Sequence, residues 1–248
     1  RLSLNGSKIT LQSFMYQPDH TFALNAATVT TLFDSTVVTF RVSETDLNTI
    51  KVNTNLCTVR SNCYIAYELG TVVDMAGNQL VASVPLSDDA RSTYVQELVA
   101  DDTRPTLLSF SLDMDQNRMV LTFDETVRVL AMRPQFMTLQ SSNISDATSV
   151  DLTFTNESVF TDIDSPIVML RIATVDINAI KALEFGTSKA DTFLSATSKT
   201  VTDTASTPNA LNPISYTDAL PVTGFINDQT PPRLGAFSML LDESELHL

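Results

Sequence analysis

Residues 101–111 read Asp101-Asp-Thr-Arg-Pro-Thr-Leu-Leu-Ser-Phe110-Ser111, and residues 228–238 read Asp228-Gln-Thr-Pro-Pro-Arg-Leu-Gly-Ala-Phe237-Ser238. At a constant shift of 127, residues 101–121 and 228–248 agree at eight of 21 positions: Asp101/Asp228, Thr103/Thr230, Pro105/Pro232, Leu107/Leu234, Phe110/Phe237, Ser111/Ser238, Asp115/Asp242 and Leu121/Leu248. Upstream, Arg41-Val-Ser-Glu-Thr-Asp46-Leu-Asn48-Thr-Ile50-Lys51 agrees with Arg171-Ile-Ala-Thr-Val-Asp176-Ile-Asn178-Ala-Ile180-Lys181 at five of 11 positions. A short third block pairs Ile9-Thr-Leu-Gln-Ser13 with Met137-Thr-Leu-Gln-Ser141. Copies of one unit in tandem point to an array with a mechanical or binding role.

The alignment sets the expected organisation. Residues 1–99 form an incomplete unit whose first two strands are missing, 100–227 a complete unit of about 127 residues, and 228–248 the opening hairpin of a third. On this reading the chain is a piece of a longer protein.

Strand signals dominate the complete unit. Residues 106–112 and 119–123 alternate apolar and polar side chains around the turn Asp115-Gln-Asn-Arg118, which predicts a hairpin. Further strands are expected at 136–140, 150–154, 167–172 and 192–196 and near 214–217, giving a seven-stranded antiparallel β-sandwich. Phe110, Leu121, Phe123, Leu139, Leu152, Leu170, Ile172, Ile180 and Phe193 are its expected core. Asp176 to Lys181 fits one helical turn capped by Asp176, with a twin from Asp46 to Lys51. Arg41 and Arg171 are expected to pin those turns by ion pairs to Asp46 and Asp176. The junctions are short and carry proline, which disfavours free swinging.

Composition narrows the partners. Fifteen basic against 29 acidic residues leave a net charge of −14, which disfavours nucleic acid and anionic lipid. No apolar run reaches the ~18 residues that span a membrane. Cys57 and Cys63 both disappear from the matching loop 186–193, as a bonded pair would, so a local disulfide is expected. A disulfide implies an oxidising, extracellular setting. The sequons at Asn5, Asn143 and Asn156 agree with that setting and mark candidate glycosylation sites.

Asp101-x-Thr-x-Pro105 at the start of a unit, Leu121-Thr-Phe-Asp-Glu-Thr-Val127, and Val72-Val-Asp-Met-Ala-Gly77-Asn78-Gln-Leu80 near a unit's end resemble the tandem bacterial-type Ig-like and cadherin-like repeats of large surface or fibre proteins. The resemblance implies an all-β fold of tandem Ig-like antiparallel β-sandwich modules, at the cell surface or outside the cell. Tryptophan is absent and no cysteine pair spans the sheets, unlike true immunoglobulin domains. The second copy reads Asp203-Thr-Ala-Ser-Thr-Pro-Asn209 where the first has its Gly-Asn turn, so that turn is expected to be lost.

The chemistry on offer is sparse. The two histidines, His20 and His247, lie in different units, and neither a Gly-x-Ser-x-Gly elbow nor a glycine-rich phosphate loop is present, so no catalysis is expected. Asp101, Asp102, Asp113 and Asp115 are candidate calcium ligands at a junction, joined by Asp124 and Glu125, because calcium takes six to eight oxygens. The same residues also read as turn caps and solvated strand ends. The expected function is a structural or adhesive repeat region assembling with neighbouring modules, or with copies of itself, into fibres or a surface layer. The alternatives are a spacer in a secreted enzyme, or a carbohydrate- or receptor-binding module using the aromatic stretch Phe14 to Phe22.

Overall fold

The computed structural model describes residues 3–4, 6–25, 27–29, 36–83, 93–144, 148–161 and 163–247. Asn5 lies outside the described residues. The chain is all-β, with two nine-residue helices. The first 99 residues supply β1 (Ser3–Leu4), β2 (Ile9–Gln12), β3 (Thr21–Ala23), β4 (Ala27–Val29), β5 (Phe40–Val42), helix α1 (Glu44–Val52), β6 (Tyr64–Tyr67), β7 (Val72–Val73) and β8 (Thr93–Tyr94). The central stretch supplies β9 (Leu107–Asp113), β10 (Arg118–Val127), β11 (Met137–Gln140), β12 (Asp151–Thr153), β13 (Val159–Phe160) and β14 (Ser165–Arg171). It continues with helix α2 (Thr174–Ala182), β15 (Phe193–Ala196), β16 (Leu220–Pro221) and β17 (Gly224–Ile226). A last hairpin joins β18 (Ser238–Leu240) to β19 (Glu245–His247).

The central stretch folds around one core. Its strands form a five-stranded sheet, β13-β14-β10-β9-β17, and a four-stranded sheet, β12-β11-β15-β16. The alternation of β9 and β10 turns Leu107, Phe110, Leu112, Met119, Leu121 and Phe123 inward. There they share a cluster with Leu139, Leu170, Ile172, Ile177, Ile180 and Leu194 from the facing strands and α2. Of the core expected from sequence, Leu152 packs at its margin and Phe193 is half-buried; Leu194, directly opposite Leu139, takes the central place.

Nine strands replace the expected seven, because β13, β16 and β17 are two or three residues long and too short to show an alternation. The pairing is also not wholly antiparallel: β17 runs parallel to β9, with Gly224 opposite Ser111. A Cβ on Gly224 would lie 3.0 Å from the Ser111 side chain, so glycine permits this close approach. Pro221 sits on an edge strand, where its missing N–H costs no ladder bond.

The first 99 residues build the same four-stranded layer in smaller form, β3-β2-β6-β8. Their other layer is the pair β4-β5 alone, where the central stretch has β13-β14 continued by β10 and β9. Among the described residues no strand pairs the second edge of β5.

Candidate functional site

Three carboxylates from distant parts of the chain meet beside the junction at residue 101. Asp101, Glu125 and Asp203 each place an oxygen within 4.8 Å of the others. Glu125 is there because it follows Phe123 at a two-residue step and so points inward with it. By this point β10 has left register with its neighbours, so Glu125 arrives at the end of the core rather than in its middle. Asp203 is fully buried; its Oδ1 accepts from Ala205 N and Asn209 N, and its Oδ2 accepts from Asn209 Nδ2.

Lys51, in the last turn of α1, supplies the counter-charge. Its Nζ lies 2.7 Å from Asp101 Oδ2 and 2.5 Å from Glu125 Oε2. Burial acts to lower the Lys51 pKa, but the hydrogen bonds and charge of Asp101 and Glu125 outweigh it and raise it. Burial also acts on Asp101, where the bonds from Lys51 and Thr103 prevail and hold the carboxyl below its ordinary value. Glu125 goes the other way: burial pushes it up, and Lys51 offsets this only in part. A neighbouring cleft of about 200 Å³ is lined by Leu47, Asn48, Lys51, Thr103 and Glu125.

The same link recurs at residue 228. Lys181, in the last turn of α2, lies 2.6 Å from Asp228 Oδ2, and this bond lowers the Asp228 pKa. Asp115, in the β9–β10 turn, holds the same segment from the other side, its Oδ1 accepting from Gln229 N and Thr230 Oγ1.

The four carboxylates expected to share calcium do not gather. Strand β9 separates Asp101 from Asp113 and Asp115, and seven strand residues span about 23 Å. Asp113 caps its own turn, accepting from Asp115 N and Gln116 N and pairing with Arg118 at 3.3 Å, while Asp102 is exposed. As a set they do not fit one ion, and at Asp101 the ammonium of Lys51 already stands between the carboxylates.

Asp176 also differs from expectation. Among the described residues Arg171 forms no ion pair with it. Its buried carboxylate instead accepts from Thr155 N, Thr155 Oγ1 and Ser158 Oγ at 2.9–3.1 Å. Asp46 takes the equivalent bonds from Asn25 N and Nδ2. The expected loss of the Gly-Asn turn is likewise corrected. Asp74 binds Ala76 N, Asn78 N and Asn78 Nδ2, and Asp203 repeats this clasp with Asn209 across two extra residues.

Cys57 and Cys63 are bonded to each other. Cys57 has φ +53°, and Gly186, at the matching position, has φ +67°. In one loop Asn62 Oδ1 accepts from Thr58 N and Val59 N; in the other Asp191 Oδ1 accepts from Thr187 N and Ser188 N. The second loop therefore keeps this shape without a disulfide. Reduction is expected to lower the stability of the first 99 residues by about 2 kcal/mol, on the loop-entropy account, and to leave the central unit unchanged. Calorimetry with and without reductant checks this; identical thermograms would show the bond to be dispensable.

Of the other marked residues, Asn143 and Asn156 are exposed, while Ser158 of the third sequon is buried as a partner of Asp176. His20 and His247 fall in separate parts of the fold, and His247 pairs with Glu245 at 2.8 Å. Among the described residues no helix is long and apolar enough to cross a membrane. No family model, curated protein or solved structure matches the chain.

Proposed function

We propose that this chain is a stretch of tandem Ig-like β-sandwich modules from an extracellular or cell-surface protein, with a structural or adhesive role and no catalysis. The observation that carries the reading is the recurrent junction link. Lys51–Asp101 and Lys181–Asp228 join the end of one module's helix to the first residue of the next, at shifts of 130 and 127. A contact between modules recurs only if successive modules meet in the same way, and a series built by one repeated operation is a rod or filament. The matched carboxylate sockets of Asp46 and Asp176 and the matched clasps of Asp74 and Asp203 support the module equivalence. The acidic surface suits a soluble array, and the disulfide suits an oxidising location.

Electron microscopy of the natural protein tests this. Regularly beaded rods or filaments, or a surface layer, are expected; compact particles without a repeat would overturn it. A binding role is favoured by one observation: Phe14 and Tyr16 are about half exposed, at 50% and 51%, where the second copy has Ser142 and Ile144. Exposed aromatic faces are stacking platforms for sugars. Glycan-array binding that disappears in Phe14→Ala/Tyr16→Ala would support that role, and a blank array would remove it.

A further inference from the structure

The central module displays a fit between two parts that are elsewhere separated. Its β9–β10 hairpin covers Leu139, Ile172, Ile177 and Ile180, and pairs along β14 with Arg118 opposite Arg171 and Met119 opposite Leu170. The first 99 residues carry the same surface without the hairpin. Leu11, Val42, Leu47 and Ile50 line a cavity of about 320 Å³, together with Leu56 and Val99. The second edge of β5 is open beside them, among the described residues. The 238–247 hairpin is the converse: Leu234, Phe237, Met239 and Leu246 are 56–65% exposed, although their counterparts Leu107, Phe110, Leu112 and Met119 are at most 5% exposed.

We propose that the β18–β19 hairpin of one copy of this chain inserts into the open groove of a second copy, completing its first module and linking chains head to tail. The proposal rests on the module equivalence above. The central module supplies the template for register: Leu246 falls opposite Phe40, and Glu245 opposite Arg41. This pairing is better in charge than the template, which sets Arg118 against Arg171. It also satisfies the backbone edge of β5 and buries an apolar face that no packed partner covers. Because donor and acceptor surfaces differ, the contact is heterologous and propagates instead of closing into a pair.

Analytical ultracentrifugation of the 248-residue chain tests the exchange. Species larger than one chain, growing with concentration, are expected. Phe237→Asp and Leu246→Asp replace exposed side chains, so the monomer keeps its packing, yet each would bury a carboxylate in the groove and weaken association at least about tenfold. Mixing a Phe40→Cys chain with a Leu246→Cys chain should give an oxidised heterodimer, since facing residues in an antiparallel pair lie within disulfide reach. A chain that stays monomeric at all concentrations, oligomers that survive both aspartate variants, or a mixture that does not cross-link would each overturn the exchange. Those results leave the array reading standing, because microscopy of the natural protein decides that separately.

Discussion

Asp176→Ala is expected to destabilise the central module by about 3 kcal/mol, the largest effect of any single change outside the apolar core. The carboxylate is 1% exposed and accepts from the Thr155 backbone and hydroxyl and the Ser158 hydroxyl. Truncation strands those donors in a space water does not readily enter, and each stranded group costs about 1–3 kcal/mol before relaxation. It also removes a negative charge from the first turn of α2, where the helix dipole favours one. Denaturant unfolding measures the loss. A change below about 1 kcal/mol would mean that the socket relaxes or hydrates freely. Thr155→Val should lose less, because the Thr155 backbone bond survives.

Lys51→Met is expected to cost about 2 kcal/mol at neutral pH, less than the ~3–5 kcal/mol for breaking a fully buried pair, because the Lys51 side chain is 20% exposed. The effect is carried by Glu125, whose carboxyl is already raised by burial and is raised further once the ammonium is gone. A group with a raised folded-state pKa favours folding when protonated, and that advantage is lost as pH rises through the raised value. The variant's deficit is therefore greatest at neutral pH and shrinks as pH falls toward the ordinary glutamate value. Asp101 acts in the same sense on the difference. Its lowered pKa gives the parent protein stability that disappears as pH falls through the folded value, and Lys51 supplies much of that lowering. Unfolding midpoints of both proteins at neutral and mildly acidic pH check this. A gap that widens on acidification would contradict the assignment of the cost to Glu125.

The elements that were legible in the sequence are those with long alternation or exact recurrence. The β9–β10 hairpin, the inward positions Phe110, Leu121 and Phe123, and the two helices stand where residue pattern puts them, although each helix runs to nine residues rather than one turn. The junction site was half legible. Lys51, Asp101, Lys181 and Asp228 all stood out by recurrence, but nothing in a linear string says that a residue at a helix end meets one fifty positions later. Glu125 beside exposed Asp124 resembles a solvated strand end; only the irregular register of β10 carries it into the core. The Asp203–Asn209 clasp was hidden by spacing, since its two residues are six apart and those of Asp74–Asn78 four. The sign of the Asp176 environment was misread because a conspicuous arginine recurred nearby, while Thr155 and Ser158 do not recur as such.

The parallel pairing of β17 with β9 has a mechanical consequence. These are the first and last strands of the central module, side by side and running the same way, with Ile226 level with Asp113. The chain therefore enters at one pole and leaves at the other. Tension along the polypeptide loads the hydrogen bonds between those strands together, in shear, instead of peeling them one at a time as in an antiparallel hairpin pulled from its open end. The bond from Met114 N to Ile226 O and that from Thr223 N to Phe110 O bracket the same seam and share the load. Extension would have to break the whole clasp before any core residue is exposed, so this module resists a steady pull out of proportion to the three residues of its last strand.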